Sequence, residues 1–212
     1  MKGSRPLTTS EVRKILAAFD RPGQRWEWAA RNRCLFVLGI TCGFRIAAIL
    51  SLTRGDVVSP AGQIAGTVSI ARKHQKGRRE GMTKPVNGRL RQALEQWLAA
   101  QEALGYARAD TPLFLSSRAG RTTGGRDNQR KRAIGREQAW RIINAAARAA
   151  GLSGRIGTHS MRKTSGMLIY AATGKDIRAA QAHLGHADIG STGDYLDPDE
   201  EAVTEAIEKM EI

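Results

Sequence analysis

Between Cys34 and Thr53 the chain carries one charged side chain, Arg45. A stretch this long and this apolar has no polar face to offer water, so it predicts helix buried on nearly every side. A helix is expected from about Trp26 to Thr41, ending near Cys42-Gly43, with a short one following through Leu52. The longest apolar run, Cys34 to Cys42, is far too short to cross a bilayer. Arg45 is then a problem, because a guanidinium cannot shed its charge and needs an anionic partner among apolar neighbours. No acid lies within ten residues on either side. Two partners stay open: a carboxylate brought from elsewhere in the fold, or a bound phosphate.

The flanking patterns place this segment in a mixed α/β chain, predominantly α-helical with one small antiparallel sheet. Thr8-Thr9-Ser10-Glu11 fits a capping box before an amphipathic helix reaching Phe19, and Arg21-Pro22-Gly23 breaks it. After Asp56, Ile64, Val68 and Ile70 at even positions predict a strand. A turn rich in Lys, Arg and Gly over residues 73–81 leads to a second short strand ending at Pro85-Val86. Further helices are expected at 88–104, 137–150, 159–173, 175–183 and 199–211, and a long loop at 116–136.

Charge narrows the partner. Lys and Arg total 34 against 20 Asp and Glu, a net +14, and the pI is about 10.7. Residues 195–212 hold seven acids and one base, so residues 1–194 carry 33 bases against 13 acids. A basic body with an acidic tail points to a polyanion for the body and a separate task for the tail. The bases cluster in the loop (Arg118, Arg121, Arg126, Arg130, Lys131, Arg132, Arg136) and in the hairpin 72–84. Arg72, Arg78, Arg79, Arg126, Arg130, Lys131 and Arg132 are the expected contacts to a phosphate backbone. Cys34 and Cys42 form no CxxC pair, which predicts buried reduced thiols and a cytoplasmic protein. The first residues lack the apolar core of a signal peptide, and no membrane association is expected.

The last third of the chain carries candidate chemistry. His159 and Arg162 stand at i, i+3 at the start of a helix that Thr158 can cap, which predicts both on one face. Helix N-termini favour phosphate, and Arg162 could add a bidentate grip; a surface helix with a stray His and Arg is the plainer alternative. Met161, Ser165, Leu168 and Ala172 form a separate stripe that can pack inward. Leu184-Gly185 ends a helix and presents His186 at the turn, with Tyr195 nine residues beyond. His183 and His186 share metal-ligand spacing, but no cysteine and only Asp188 and Asp194 accompany them, so no metal site is expected.

The order Arg45, a lysine, His159-x-x-Arg162, Leu184-Gly185-His186 and Tyr195 resembles the catalytic domain of tyrosine recombinases, the phage integrase family. Cys42-Gly43-Phe44-Arg45-Ile46-Ala47-Ala48-Ile49-Leu50-Ser51-Leu52 is similar to that family's first arginine box. His159-Ser-Met-Arg162-Lys-Thr is similar to its second, with Met161 in place of the usual leucine, and Leu184-Gly185-His186 with Tyr195 to its third. The resemblance spans about Leu7 to Ile212.

It implies a site-specific recombinase that cleaves and rejoins double-stranded DNA through a 3′-phosphotyrosine, without metal, ATP or other cofactor. Tyr195 would be the nucleophile, with Arg45 and Arg162 clamping the nonbridging oxygens and His186 donating a further hydrogen bond. His159 would assist proton removal from Tyr195. A hairpin lysine, Lys73 or Lys76, would protonate the leaving 5′ oxygen. Self-association on DNA, a tetramer in the synaptic complex and a monomer in isolation, comes with the family. So does the docking of the acidic helix at 198–212 onto a neighbouring subunit, although packing on its own domain stays open.

Two departures from the pattern matter. The acid usual three residues after the first arginine is Ala48 here, and the separate helical domain that usually precedes the catalytic region is not expected in residues 1–212. The rival readings are relaxation of supercoils in the manner of a type IB topoisomerase, and a DNA-binding relative with weakened catalysis.

Overall fold

The computed structural model of the protein describes residues 3–71, 81–117 and 133–185. The chain divides into two compact units, Met1–Ser165 and Gly166–Ile212. In the first unit, α1 (Thr9–Ala18) begins at the predicted capping box. Thr8 Oγ1 accepts from the Glu11 N–H at 3.2 Å and Glu11 Oε2 accepts from the Thr8 N–H at 3.0 Å, so two orphan donors are satisfied. Arg5 adds a forked pair to the same carboxylate at 2.8 and 2.5 Å, which holds the Glu11 carboxyl down at about 2. Leu7 N–H donates to Thr164 Oγ1 at 2.9 Å, so this N-terminal segment is bonded directly to the region that carries the second motif.

The helix α2 (Trp26–Cys42) lies between two apolar clusters, which is why it is apolar all round. Cys34, Leu35, Leu38 and Cys42 join Leu90, Leu94 and Trp97 of α4 (Gly88–Ala103). Phe36 and Ile40 join Val12, Ile15 and Phe19 on one side, and Ile143 and Ala147 of α5 (Arg136–Ala149) on the other. Both cysteines are buried free thiols, and burial pushes each well above the ordinary thiol range, Cys42 to about 12. The apolar pattern gave no hint of Arg31, which is 3% exposed. Its guanidinium donates to the Leu115 carbonyl at 2.7 Å and to Asn32 Oδ1 at 2.8 Å, with the Trp28 ring 5.0 Å away, and burial pushes its pKa down to about 10.

The α3 helix (Ile46–Ile49) and a 3-10 turn, Arg54–Asp56, lead to a two-stranded antiparallel sheet of β1 (Thr67–Ile70) and β2 (Met82–Pro85). Its register pairs Val68 with Lys84 and Ile70 with Met82, so Val68, Ile70 and Met82 face the core. Ile64 is not part of β1. It bridges Val58 across a tight turn in which Gly62 has φ 77°, so regular pairing begins only at Thr67. Trp97 Nε1 and Gln101 Nε2 both donate to the Leu113 carbonyl, at 2.5 and 3.1 Å, and fix the segment that Leu115 ends by bridging Ala133.

α6 (Thr158–Ala172) contributes its first half to the first unit. Met161 lies so close to α2 that a methyl added at Gly39 would come within 2.8 Å of its sulfur. In the second unit, α6 is followed by α7 (Ile177–Leu184), whose first N–H groups are capped by Asp176 at 2.7 and 3.2 Å. The helix ends, as the sequence predicts, at Gly185 with φ 64°. The stripe expected to pack inward along α6 does so only at Met161 and Ser165. Leu168 is 40% exposed and Ala172 is exposed, because the inward side of that half is taken by Gly166 against Leu184. No described helix is long and apolar enough to cross a membrane.

Candidate active site

α2 ends at Gly43, whose φ of 63° lies in the left-handed region that a residue without Cβ adopts freely. After the reversal Phe44 stays buried in the core while Arg45 turns out of it. Arg45 is exposed, with extended backbone (ψ 142°) at the cap of α3, and its carbonyl accepts from the Ala48 and Ile49 N–H groups at 2.9 and 3.1 Å. The expectation that Arg45 is embedded in the core is therefore corrected: the surrounding apolar residues turn inward while the helix break turns Arg45 outward. Of the two partners left open by the sequence, no described carboxylate takes its charge. Ala48 is 3% exposed, so the position where the resemblance leads one to expect an acid points into the interior.

α6 begins with Thr158 itself rather than after it. Thr158 is therefore a helical residue rather than the cap, and at this end Ser160 Oγ reaches back to accept from the Gly157 N–H at 3.2 Å. The i, i+3 rule is only half obeyed by His159 and Arg162. His159 is exposed, whereas Arg162 is 4% exposed and donates from Nη1 to the Gly43 carbonyl. Its long stem lets the guanidinium cross from α6 to the last turn of α2, two residues before Arg45.

Electrostatics brings the same groups together. The His159 imidazole is held below its ordinary 6.5, first by desolvation and then by the positive charges of Lys163, Arg162 and Arg45. Three cations therefore act on one ring, which leaves that ring neutral at pH 7 and able to accept a proton. A locus with this charge favours an anion with several oxygens. The structure thus assembles Arg45, His159 and Arg162, the three described members of the predicted set.

Sequence reasoning missed two participants and one further charge nearby in the fold. Lys163 was legible only as the neighbour of Arg162. The Gly43 carbonyl is a backbone group that no residue type announces. Lys84, half-buried opposite Val68 on the core side of β2, lies near enough to Cys42 for its charge to oppose the upward push on that thiol. The remaining expected residues lie outside the described residues: Lys73, Lys76, His186 and Tyr195, the backbone contacts Arg72, Arg78, Arg79, Arg126, Arg130, Lys131 and Arg132, and the helix at 198–212. A groove of about 660 Å³ opens beside Phe19, Asn32, Arg141 and Ile142, and neither Arg45, His159 nor Arg162 lines it.

Known proteins resemble this chain over most of its length. The model of the Phage integrase family matches residues 5–202. The Type 1 fimbriae regulatory protein FimB of Escherichia coli strain K12 is 30% identical over 186 residues, 88% of this chain and 80% of FimB. The tyrosine recombinase XerC of Thermodesulfovibrio yellowstonii is 26% identical over 207 residues, 96% of this chain but 61% of XerC. Among solved structures, the XerH site-specific recombinase bound to its difH substrate superposes with TM-score 0.68 at 23% identity, over 100% of this chain and 56% of that one. A lambda integrase dimer bound to a COC′ core site gives 0.61 at 20% identity, over 93% and 49%. These likenesses show the fold, a mostly helical catalytic domain with one small antiparallel sheet.

Proposed function

Because the chain belongs to the phage integrase family of site-specific DNA recombinases, we propose that it cuts and rejoins duplex DNA by transesterification at Tyr195. The phenolic oxygen attacks a backbone phosphorus, forming a P–O bond to tyrosine as the P–O bond to the 5′ oxygen breaks. The tyrosine proton passes to His159, and the leaving 5′ oxygen takes a proton from Lys73 or Lys76. Arg45 and Arg162 hold the nonbridging oxygens and His186 donates to them, so fixed positive charge meets the charge that builds up in the transition state. The phosphotyrosine keeps the energy of the broken ester, so a 5′-hydroxyl from another strand reverses the step without ATP, and neither metal nor cofactor is required.

The observation that carries this reading is the bond from buried Arg162 to the Gly43 carbonyl, two residues before the exposed Arg45, with the charges of Lys163, Arg162 and Arg45 all holding the His159 pKa down. Recognition of DNA by the basic segments at 72–84 and 118–136, assembly as a tetramer on two duplexes, and docking of the acidic tail onto a neighbouring copy belong to the same proposal. A nicked suicide duplex tests it: the protein should leave a covalent adduct on a denaturing gel, and Tyr195→Phe should remove the band. An adduct that persists in the variant assigns the nucleophile elsewhere. The buried Ala48 favours one second reading, a DNA-binding relative with weakened catalysis; binding without any adduct from the wild-type chain would establish it.

A further inference from the structure

Trp140 is one of the few large apolar side chains left exposed, at 46%. It stands on α5, yet the Cδ1–Nε1 edge of its ring packs against Gly157, where a methyl would come within 2.6 Å of Cδ1 and 2.7 Å of Nε1. One turn further along α5, on the same face, Asn144 Nδ2 donates to the Ile156 carbonyl at 3.1 Å. Two side chains of one helix thus grip two consecutive residues of the turn that opens α6. Gly157 in turn bonds Ser160 twice, through its N–H to Oγ at 3.2 Å and through its carbonyl to the Ser160 N–H at 3.0 Å. His159 sits inside that bonded loop. Its position along and around the helix is therefore set from α5, by an indole edge and one amide, while the His159 side chain remains open to solvent.

We infer that Trp140 is a positioning residue for the reaction: packed against Gly157 through its Cδ1–Nε1 edge, its indole fixes the first turn of α6 and so aims His159 at the proton it receives. An aromatic ring at 140 and a residue without Cβ at 157 are both needed, because any side chain at 157 would push the ring away, and a smaller group at 140 would leave the turn free to shift. The effect rests on the proposed cleavage reaction, in which a displacement of about 1 Å can cost on the order of 100-fold in rate.

The test uses the full chain and the nicked duplex, measuring the rate of adduct formation at saturating DNA beside DNA affinity, and, without DNA, the imidazole resonances of His159 by NMR. Trp140→Ala should lower the saturated rate by about tenfold or more with affinity within twofold, and shift the His159 signals. Trp140→Phe, which keeps a flat ring, should retain most of the rate. Gly157→Ala should reproduce the Trp140→Ala defect from the other side of the contact, and the double variant should be no worse than either single one. Trp26→Ala, at an even more exposed tryptophan elsewhere, should change neither readout. A saturated rate within twofold of wild type with unmoved His159 signals overturns the inference, as does a loss confined to affinity, which would make the ring a DNA contact. Should the wild-type chain form no adduct at all, the cleavage reading fails by itself, and unmoved His159 signals would still sink the positioning role.

Discussion

The guanidinium of Arg162 donates to the main-chain carbonyl of Gly43, joining the first turn of α6 to the last turn of α2. Helix C-terminal carbonyls carry partial negative charge, so the contact helps to hold a buried cation in place. The same bond sets the distance between the two arginines, since Arg45 follows Gly43 by two residues.

Arg162→Lys should keep the fold and lose the fork. A lysine ammonium is a point donor that cannot bond Gly43 and two phosphate oxygens in one plane. Adduct formation at saturating DNA is expected to fall by about 100-fold, the usual cost of one lost transition-state donor. A fall of less than threefold would show that the clamp resides elsewhere.

Gly43→Ala places a Cβ at φ 63°, which costs about 1–2 kcal/mol of stability. It also tilts the carbonyl that Arg162 grips, so cleavage should suffer more than the drop in urea midpoint explains. Equal stability of variant and wild type would contradict the left-handed geometry.

Cleavage should depend on pH through His159. Its folded pKa lies below 6.5, so the neutral, proton-accepting form persists to lower pH than for a free imidazole. The acid limb of the rate profile is therefore expected below 6.5. Lys163→Gln removes one of the charges that depress the ring, and should move that limb upward toward 6.5. A limb that stays in place would remove Lys163 from the electrostatics of the site.

Local rules explain what was legible in the sequence. The capping box at Thr8 and Glu11, the glycine that ends α2, and the alternation of Val68 and Ile70 all report interactions within a few residues. The exposure of Arg45 was not legible, because the apolar run predicted burial and only the left-handed break at Gly43 turns the arginine out. Nor was the opposite fate of His159 and Arg162, three residues apart on one helix: a stem long enough to reach another helix overrides the helical face. Arg31 escaped notice because its partners, the Leu115 carbonyl and the Trp28 ring, bear no opposite charge. The candidate site was legible as residue types in order; its second half, from His186 to Tyr195, lies outside the described residues.

Packing beneath the site is tight enough to test at Gly39. A methyl there meets Met161 Sδ at 2.8 Å and Cε at 2.9 Å, the flexible end of a side chain on the helix that carries His159. Gly39→Ala gains helix propensity but must displace Met161, for a net loss of about 1–3 kcal/mol. Gly39→Ala combined with Met161→Ala should lose less than the sum of the two single variants, because each relieves the other. Strict additivity in urea unfolding would mean that the two residues do not touch.

Glu11 supplies a dependence of stability on acid. Its folded pKa of about 2 lies below the ordinary 4.5, chiefly through the bonds from Arg5. The folded state thus binds the proton less tightly than the unfolded chain. The stabilisation is complete above about 4.5 and disappears as pH falls toward 2. The pair is partly open to water, with Glu11 18% and Arg5 35% exposed, so its contribution is about 1 kcal/mol rather than the full shift. Glu11→Gln should be less stable than wild type by about that amount at pH 7. The urea midpoints of the two proteins should converge as pH is lowered through the interval from 4.5 to 2. A constant gap across that interval would show that the carboxylate charge contributes nothing and that the capping bonds alone hold the first turn of α1.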